Sequence, residues 1–322
     1  MRALQVRELT GPDAVAVVAD APEPDMGEGV LIDVHAGGVA FADLLLTRGK
    51  YQVKPDLPFT LGTEVAGTVV AAADGAGYEA GEKVMAIVFG GLADRAVADP
   101  AMTSPLPESF SMEQGAGFIV NYHTSHFALH RRGRLREGET VLVHGAAGGV
   151  GTAAIQIARG SGARTIAVVS SDDKERVARE AGADEVVRST GDWLGAVREL
   201  IGDRGVDVVY DPVGGDRFED SVRSLAPEGR LLVVGFAEGE IPSVAANRLL
   251  LRNVSVVGVG WPGFVADMPE LTAEIGKDLE RLADEGFVRP TVGATYPLEE
   301  GARALRDLDE RRATGKVVLK LR

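Results

Sequence analysis

The chain has 322 residues, 45% of them hydrophobic, a formal charge of −14 and no cysteine. Two globular domains fit that length. The charge argues against non-specific binding to nucleic acid or to an anionic membrane. The missing cysteines exclude disulfides, thiolate catalysis and thiolate zinc sites. The start, Met1 to Glu8, lacks the apolar core of a signal peptide, and no uncharged apolar run reaches about 18 residues. A cytoplasmic protein without a membrane partner is the expectation.

In chain order, residues 1 to about 120 read as short strands broken by glycine and proline. Strands are predicted at 3–6, 15–18, 30–34, 65–71 and 83–88, with a short helix at 41–48 closed by Gly49. That spacing suggests a compact β-barrel-type domain. An apolar helix is predicted over 122–130. Beyond it strands alternate with helices: strands at 141–143, 165–169, 185–187, 206–210, 231–234 and 254–259, helices near 150–160, 172–181, 192–201, 216–226 and 244–251. The alternation implies a doubly wound parallel sheet, and six strands match the Rossmann arrangement. Two amphipathic helices near 269–285 and 298–311, a strand near 291–296 and a last strand at 316–320 complete the chain. These later elements are assigned to the first domain, giving boundaries of 1–121 with 265–322, and 122–264.

The stretch from Thr140 to Gly151 carries the clearest chemistry. An apolar run, Val141 to Val143, enters a glycine-rich turn. A helix then begins with Val150, Ala153, Ala154 and Ile157 at helical spacing. A strand that ends in glycines opening a helix offers backbone N–H groups and the positive end of the helix dipole to a phosphate. The spacing G-x-G-x-x-G falls on Ala146, Gly148 and Gly151, so its first glycine is an alanine. Gly148, Gly149 and Val150 are the expected pyrophosphate contacts. Asp211, Pro212, Gly235, Phe236 and Ala237 end the fourth and fifth strands, where such a sheet opens onto its cofactor. Ser170 and Ser171 follow the second strand, where an acid would select NADH. Their presence favours NADPH, although Asp172 and Asp173 come next. Arg188 follows the third strand and suits a paired contact with phosphate.

Segments Gly38–Asp43, Gly49–Tyr51, Pro58–Gly67, Gly81–Val84, His144–Gly151, Asp211–Gly215, Gly229–Phe236 and Gly315–Leu319 stand in one order and spacing. Together they resemble the zinc-independent medium-chain dehydrogenases/reductases, in the quinone oxidoreductase (zeta-crystallin-like) group. The resemblance implies a Rossmann domain inserted in a GroES-like catalytic domain. It implies NADPH at Phe41, Asp43, Thr124, Lys174 and Arg312 besides the residues above, and a proton from Tyr51 or from water. It also implies a homodimer formed through the edge strand 254–260. The zinc-dependent relatives hold their metal with Cys and His where this chain has Ala40 and Thr63, so no catalytic metal is expected. His126 and His130, four residues apart, have no third ligand nearby in sequence and read as surface or cleft-edge histidines. Many relatives carry Asn at the Ala40 position, and alanine cannot make that hydrogen bond.

The implied activity is NADPH-dependent reduction of a quinone or other α,β-unsaturated carbonyl. Reduction of an enoyl-thioester or acrylate-type alkene is one alternative, for which the Arg131, Arg132 and Arg134 run is the local hint. A structural or sensing NADPH-binding protein is another.

Overall fold

The computed structural model describes residues 1–322, apart from the side chains of Pro262 and Ala266. Two compact units emerge: Met1–Val120 with Pro290–Arg322, and Asn121–Arg289.

The first unit begins with strands β1 (Ala3–Val6), β2 (Val15–Val18), β3 (Val30–Val39), β4 (Phe59–Thr60), β5 (Glu64–Ala72), β6 (Lys83–Val88) and β7 (Arg95–Pro105). β1 carries β2 and β4 as a small sheet. The strands β3, β5, β6 and β7 pair antiparallel in turn, and β7 returns to β3. This ring leaves those four strands no open edge. Val30, Ile32 and Val34 alternate inward along β3 and join Leu44, Leu61, Val65 and Val88 in the core. The sequence gives no sign of β7. Its alternation fails around Pro100, where the β6 register shifts between Ala86 and Val88. A proline is tolerated at such an irregularity, and pairing rather than local propensity forms this strand.

The second unit holds β8 (Thr140–Val143), β9 (Arg164–Val169), β10 (Glu185–Arg188), β11 (Val206–Asp211), β12 (Leu225–Val233) and β13 (Ser255–Gly258). They form one sheet in the order β10-β9-β8-β11-β12-β13, parallel throughout. Its strands are near-continuous apolar runs, as required of a sheet covered on both faces. Leu142, Ile166, Val209 and Leu231 are fully buried. The strand order turns at β8, which has β9 on one side and β11 on the other. That switch point is where open α/β sheets bind ligands.

One boundary differs from the sequence reading. The sequence places helix Glu270–Asp284 in the first domain, yet it belongs to the second unit. It buries Leu271, Ile275, Leu279 and Leu282. Leu282 lies close against Gly160, and Asp278 bonds His126. An amphipathic stripe shows that a helix has a partner without saying which. The helix predicted at 122–130 is also different: Ile119–His126 is α-helical and Phe127–Arg132 is a π-helix.

The chain then returns to the first unit as β14 (Val292–Pro297), helix Gly301–Asp309 and β15 (Lys316–Lys320). β15 lies antiparallel on β3. Lys316 pairs with Glu64 of β5, with both side chains almost wholly buried. The second Glu64 oxygen accepts the Val120 N–H at 3.1 Å. Breaking such a buried pair from one side leaves an uncompensated charge.

Candidate active site

The glycine turn follows β8 directly. Gly145 adopts φ +57°, in the left-handed region that glycine enters without strain. The residue that turns the chain is therefore one place before Ala146, which is fully buried and needs no such freedom. This explains how the fingerprint tolerates an alanine. Gly148 is the N-cap of helix Gly149–Gly160, and as a glycine it brings no side chain to that end. The N–H groups of its first turn thus keep their bonding capacity for a ligand. A Cβ on Gly151 would lie 2.3 Å from the Gly145 carbonyl oxygen, so only glycine lets helix and turn approach this closely.

Two residues absent from the sequence reading brace this turn. Asn121 packs on Gly149, where a Cβ would come within 2.5 Å of its amide nitrogen. The Ser125 hydroxyl donates to Val150 O at 3.0 Å and so accepts from the Tyr210 hydroxyl at 2.9 Å. Thr124 sits half-buried on the same helix. No motif marks Asn121 or Ser125. Their spacing of four on a helix that precedes the glycine strand is the one available signal.

At the ends of β9 and β10 the structure gathers Ser170, Ser171, Lys174 and Arg188. Ser171 is the N-cap of helix Asp172–Glu180, its hydroxyl accepting from Lys174 N. Lys174 Nζ donates to Ser170 Oγ at 3.1 Å. Arg188 contacts Asp172 at 2.5 Å and Glu175 at 2.6 Å, while its second terminal nitrogen is buried without a hydrogen-bond partner. The Asp172 side chain is exposed, and it also holds Arg188.

Across the switch point, Asp211 ends β11 almost wholly buried. One oxygen accepts the N–H groups of Val213 and Gly214, both at 2.9 Å. The other, Oδ2, is buried and unpaired. Burial raises its pKa from the ordinary value, against the pull of those two N–H groups. Segments 211–213 and 234–238 are joined by backbone bonds such as Ala237 N to Pro212 O at 3.1 Å. Pro212, Gly235, Phe236 and Ala237 therefore form one rigid rim.

In the first unit, Tyr51 lines an apolar cavity of about 380 Å³ with Leu46, Phe59, Thr63 and Phe89. Its hydroxyl makes no hydrogen bond to a described residue, and burial, then the Asp43 charge, pushes its pKa up. Phe41 packs at the edge of the core. Two expected cofactor contacts, Asp43 and Arg312, have partners within the fold. Asp43 is fully buried and spends Oδ2 on the Ala40 N–H (2.7 Å) and Oδ1 on the Gly62 N–H (3.0 Å). It positions the loop carrying Ala40, and the side chain is closed off from solvent. Arg312 bonds Asp307 at 2.9 Å and pairs with Glu310, all within its own helix end. The arginine run is also engaged: Arg132 donates to Gly258 O at 2.9 Å, and Arg131 lies over the Phe264 ring.

Two family models match. The alcohol dehydrogenase GroES-like domain covers residues 27–154, and the zinc-binding dehydrogenase domain covers 149–277. Quinone oxidoreductase-like protein 2 of Rattus norvegicus is 40% identical over all of this chain and 92% of its own length. The chain belongs to the quinone oxidoreductase group of the medium-chain dehydrogenases/reductases. It is an oxidoreductase. A probable oxidoreductase from Mycobacterium abscessus superposes with a TM-score of 0.90 at 44% identity, covering 99% of this chain and 98% of the other. The quinone oxidoreductase of Escherichia coli complexed with NADPH gives 0.91 at 28% identity, over 99% and 100%.

As a quinone oxidoreductase relative, the chain has residues that suit the dinucleotide and not a zinc-alcohol-dehydrogenase metal. The glycine-capped helix end and the hydroxyls and cations at β9 and β10 fit a phosphorylated cofactor. The two positions where this fold would place zinc ligands fail the test. Ala40 has no ligand atom, and Thr63 offers a buried, unpaired hydroxyl that is outside the ordinary donor set of zinc.

Proposed function

We propose that this protein is an NADPH-dependent reductase of quinones or other α,β-unsaturated carbonyls, working without zinc. The observation that carries the reading is the glycine-capped N-terminus of helix Gly149–Gly160, at the switch point of a six-stranded parallel sheet. NADPH, when bound, supplies the hydride. Gly148, Gly149 and Val150 hold the pyrophosphate through backbone N–H groups. Ser170, Ser171, Lys174 and Arg188 receive the 2′-phosphate, with Arg188 exchanging part of its contact with Asp172 for the new anion. The rim of Asp211, Pro212, Gly235, Phe236 and Ala237 borders the cofactor, and Thr124 contacts it from the bracing helix.

Tyr51 donates the proton, or water does. A tyrosine hydroxyl is already protonated at neutral pH, as a donor requires, and burial acts in the same direction. A conjugated acceptor spreads the incoming charge, so it needs less stabilisation than a simple ketone and one donor suffices. The apolar lining around Tyr51 suits a hydrophobic acceptor.

The reading extends to a cytoplasmic homodimer. No helix among the described residues is long and apolar enough to cross a membrane. β13 lies at the end of the sheet, and Ile241, Leu250 and Leu251 nearby in sequence are more than 70% exposed. Light scattering of a micromolar solution is expected to give twice the chain mass; a monomer would remove this part.

The deciding experiment is a turnover screen with NADPH and NADH against quinones, enones and enoyl-thioesters. Oxidation of NADPH by quinones or enones, faster than that of NADH, is expected. Background rates with every acceptor would sink the reading.

A further inference from the structure

His126 ends helix Ile119–His126, and His130 lies in the π-helix that continues it. π-helical turns are rare and concentrate at functional sites. The two rings stand 4.5 Å apart. Facing them on helix Glu270–Asp284 is Asp278, with Oδ2 2.6 Å from His126 Nε2. One ligand atom from each of the three lies within 4.8 Å of the others. The sequence offered this histidine pair no third ligand. The fold supplies one from a helix far along the chain.

Neighbouring groups orient each donor. Ser161 Oγ donates its only proton to Ile157 O at 2.8 Å. At 3.2 Å from His130 Nε2 it must therefore accept from that ring nitrogen. His130 is thereby held in the tautomer whose Nδ1 carries the lone pair. Arg281 places two donors on Asp278 Oδ1, at 3.1 and 2.7 Å, and leaves Oδ2 turned to the histidines. Such outer partners are how proteins fix metal ligands. Helix Glu270–Asp284 brings Glu274, Asp278 and Arg281 to the site, and Glu285 just beyond it pairs with Arg281. The other segment brings Arg131, which is turned onto Phe264.

We propose that His126, His130 and Asp278 form a binding site for a divalent transition ion of the zinc type. Two imidazole nitrogens and one carboxylate oxygen match the ligand preference of zinc, with water completing the shell. Magnesium and calcium prefer oxygen ligands throughout. On binding, the His126 proton leaves Nε2 for Nδ1 through solvent, so the ring stays neutral and Nε2 takes the metal. The ion ties the π-helical segment to helix Glu270–Asp284 inside the second unit. One turn before His126 and beside it, Asn121 and Ser125 brace the glycine turn, so the ion stiffens the helix that supports it.

The test uses untagged full-length protein stripped with a chelator and titrated with zinc chloride by calorimetry, with Co²⁺ as a spectroscopic probe. One ion per chain is expected, with ligand-field bands of a four- or five-coordinate N/O centre. Zinc is expected to raise the thermal midpoint. His130→Asn and Asp278→Asn should each weaken zinc binding by about tenfold or more. Circular dichroism of each metal-free variant checks that it is folded. The proposal is overturned if the wild-type protein takes up no stoichiometric zinc. It is equally overturned if both folded variants bind zinc as tightly as wild type.

Discussion

Two buried carboxylates, one in each unit, have opposite accounts. Asp43 accepts one backbone N–H on each oxygen and is closed off from solvent. Asp211 collects two N–H groups on one oxygen and leaves the other buried and unpaired. Burial raises the pKa of both. Equal burial therefore does not mean equal role. The first carboxylate serves the loop that contains it, and the second keeps an unfilled position at the strand ends where the dinucleotide is proposed to lie.

The largest expected effect concerns the turn beside Asp211. Gly151→Val would drive a side chain into the Gly145 carbonyl and the Ala146 backbone, neither of which can rotate away. NADPH affinity, read by fluorescence titration, is expected to fall roughly a hundredfold or more as the N–H groups lose their aim.

The same substitution at the two carboxylates sharpens the contrast. Asp43→Asn leaves one backbone N–H facing an amide nitrogen, at a cost of about 1–3 kcal/mol in urea unfolding. That deficit should depend on pH. Burial lifts the Asp43 pKa from 3.8 to about 6, against the N–H groups of Ala40 and Gly62 and the charge of Lys316. The folded state therefore holds this proton more tightly than the unfolded state. Wild type loses stability as pH rises from 4 through 6, by up to about 3 kcal/mol, and the variant lacks that loss. The gap between them should narrow as pH rises, and a constant gap would count against a buried, ionising Asp43. Asp211→Asn can keep its carbonyl oxygen under both N–H groups, so stability should hold within about 1 kcal/mol. Its cofactor affinity should fall instead, because the amide nitrogen takes the place of the unpaired oxygen. A large loss of stability at Asp211 and none at Asp43 would reverse the assignment.

The smallest effect is expected at the edge of the second unit. Arg188→Ala should raise the NADPH dissociation constant by about tenfold and leave NADH nearly unchanged. If both cofactors weaken alike, Arg188 serves the fold through Asp172 and Glu175 and does not read the 2′-phosphate.

Much of this molecule was legible before folding was considered. Periodicity reveals the parallel sheet because a strand covered on both faces must be apolar at every position. The glycine turn reads through even with Ala146 in place of glycine, because a strand, a turn and a helix in succession are local features. Residue type alone removes zinc from Ala40 and Thr63. Other features depend on partners that local sequence does not name. β7 forms against β3 and β6 in spite of Pro100. Helix Glu270–Asp284 shows its apolar stripe, but only packing against Gly160 and His126 assigns it to the second unit. Asp43 reads as a cleft residue, and only the fold brings Gly62, distant in sequence, onto its second oxygen. Asp278 completes a ligand set with two histidines that sequence left as a pair. Local spacing determined what each segment could become. Burial and long-range hydrogen bonding decided which polar groups were used up by the fold and which remained for chemistry.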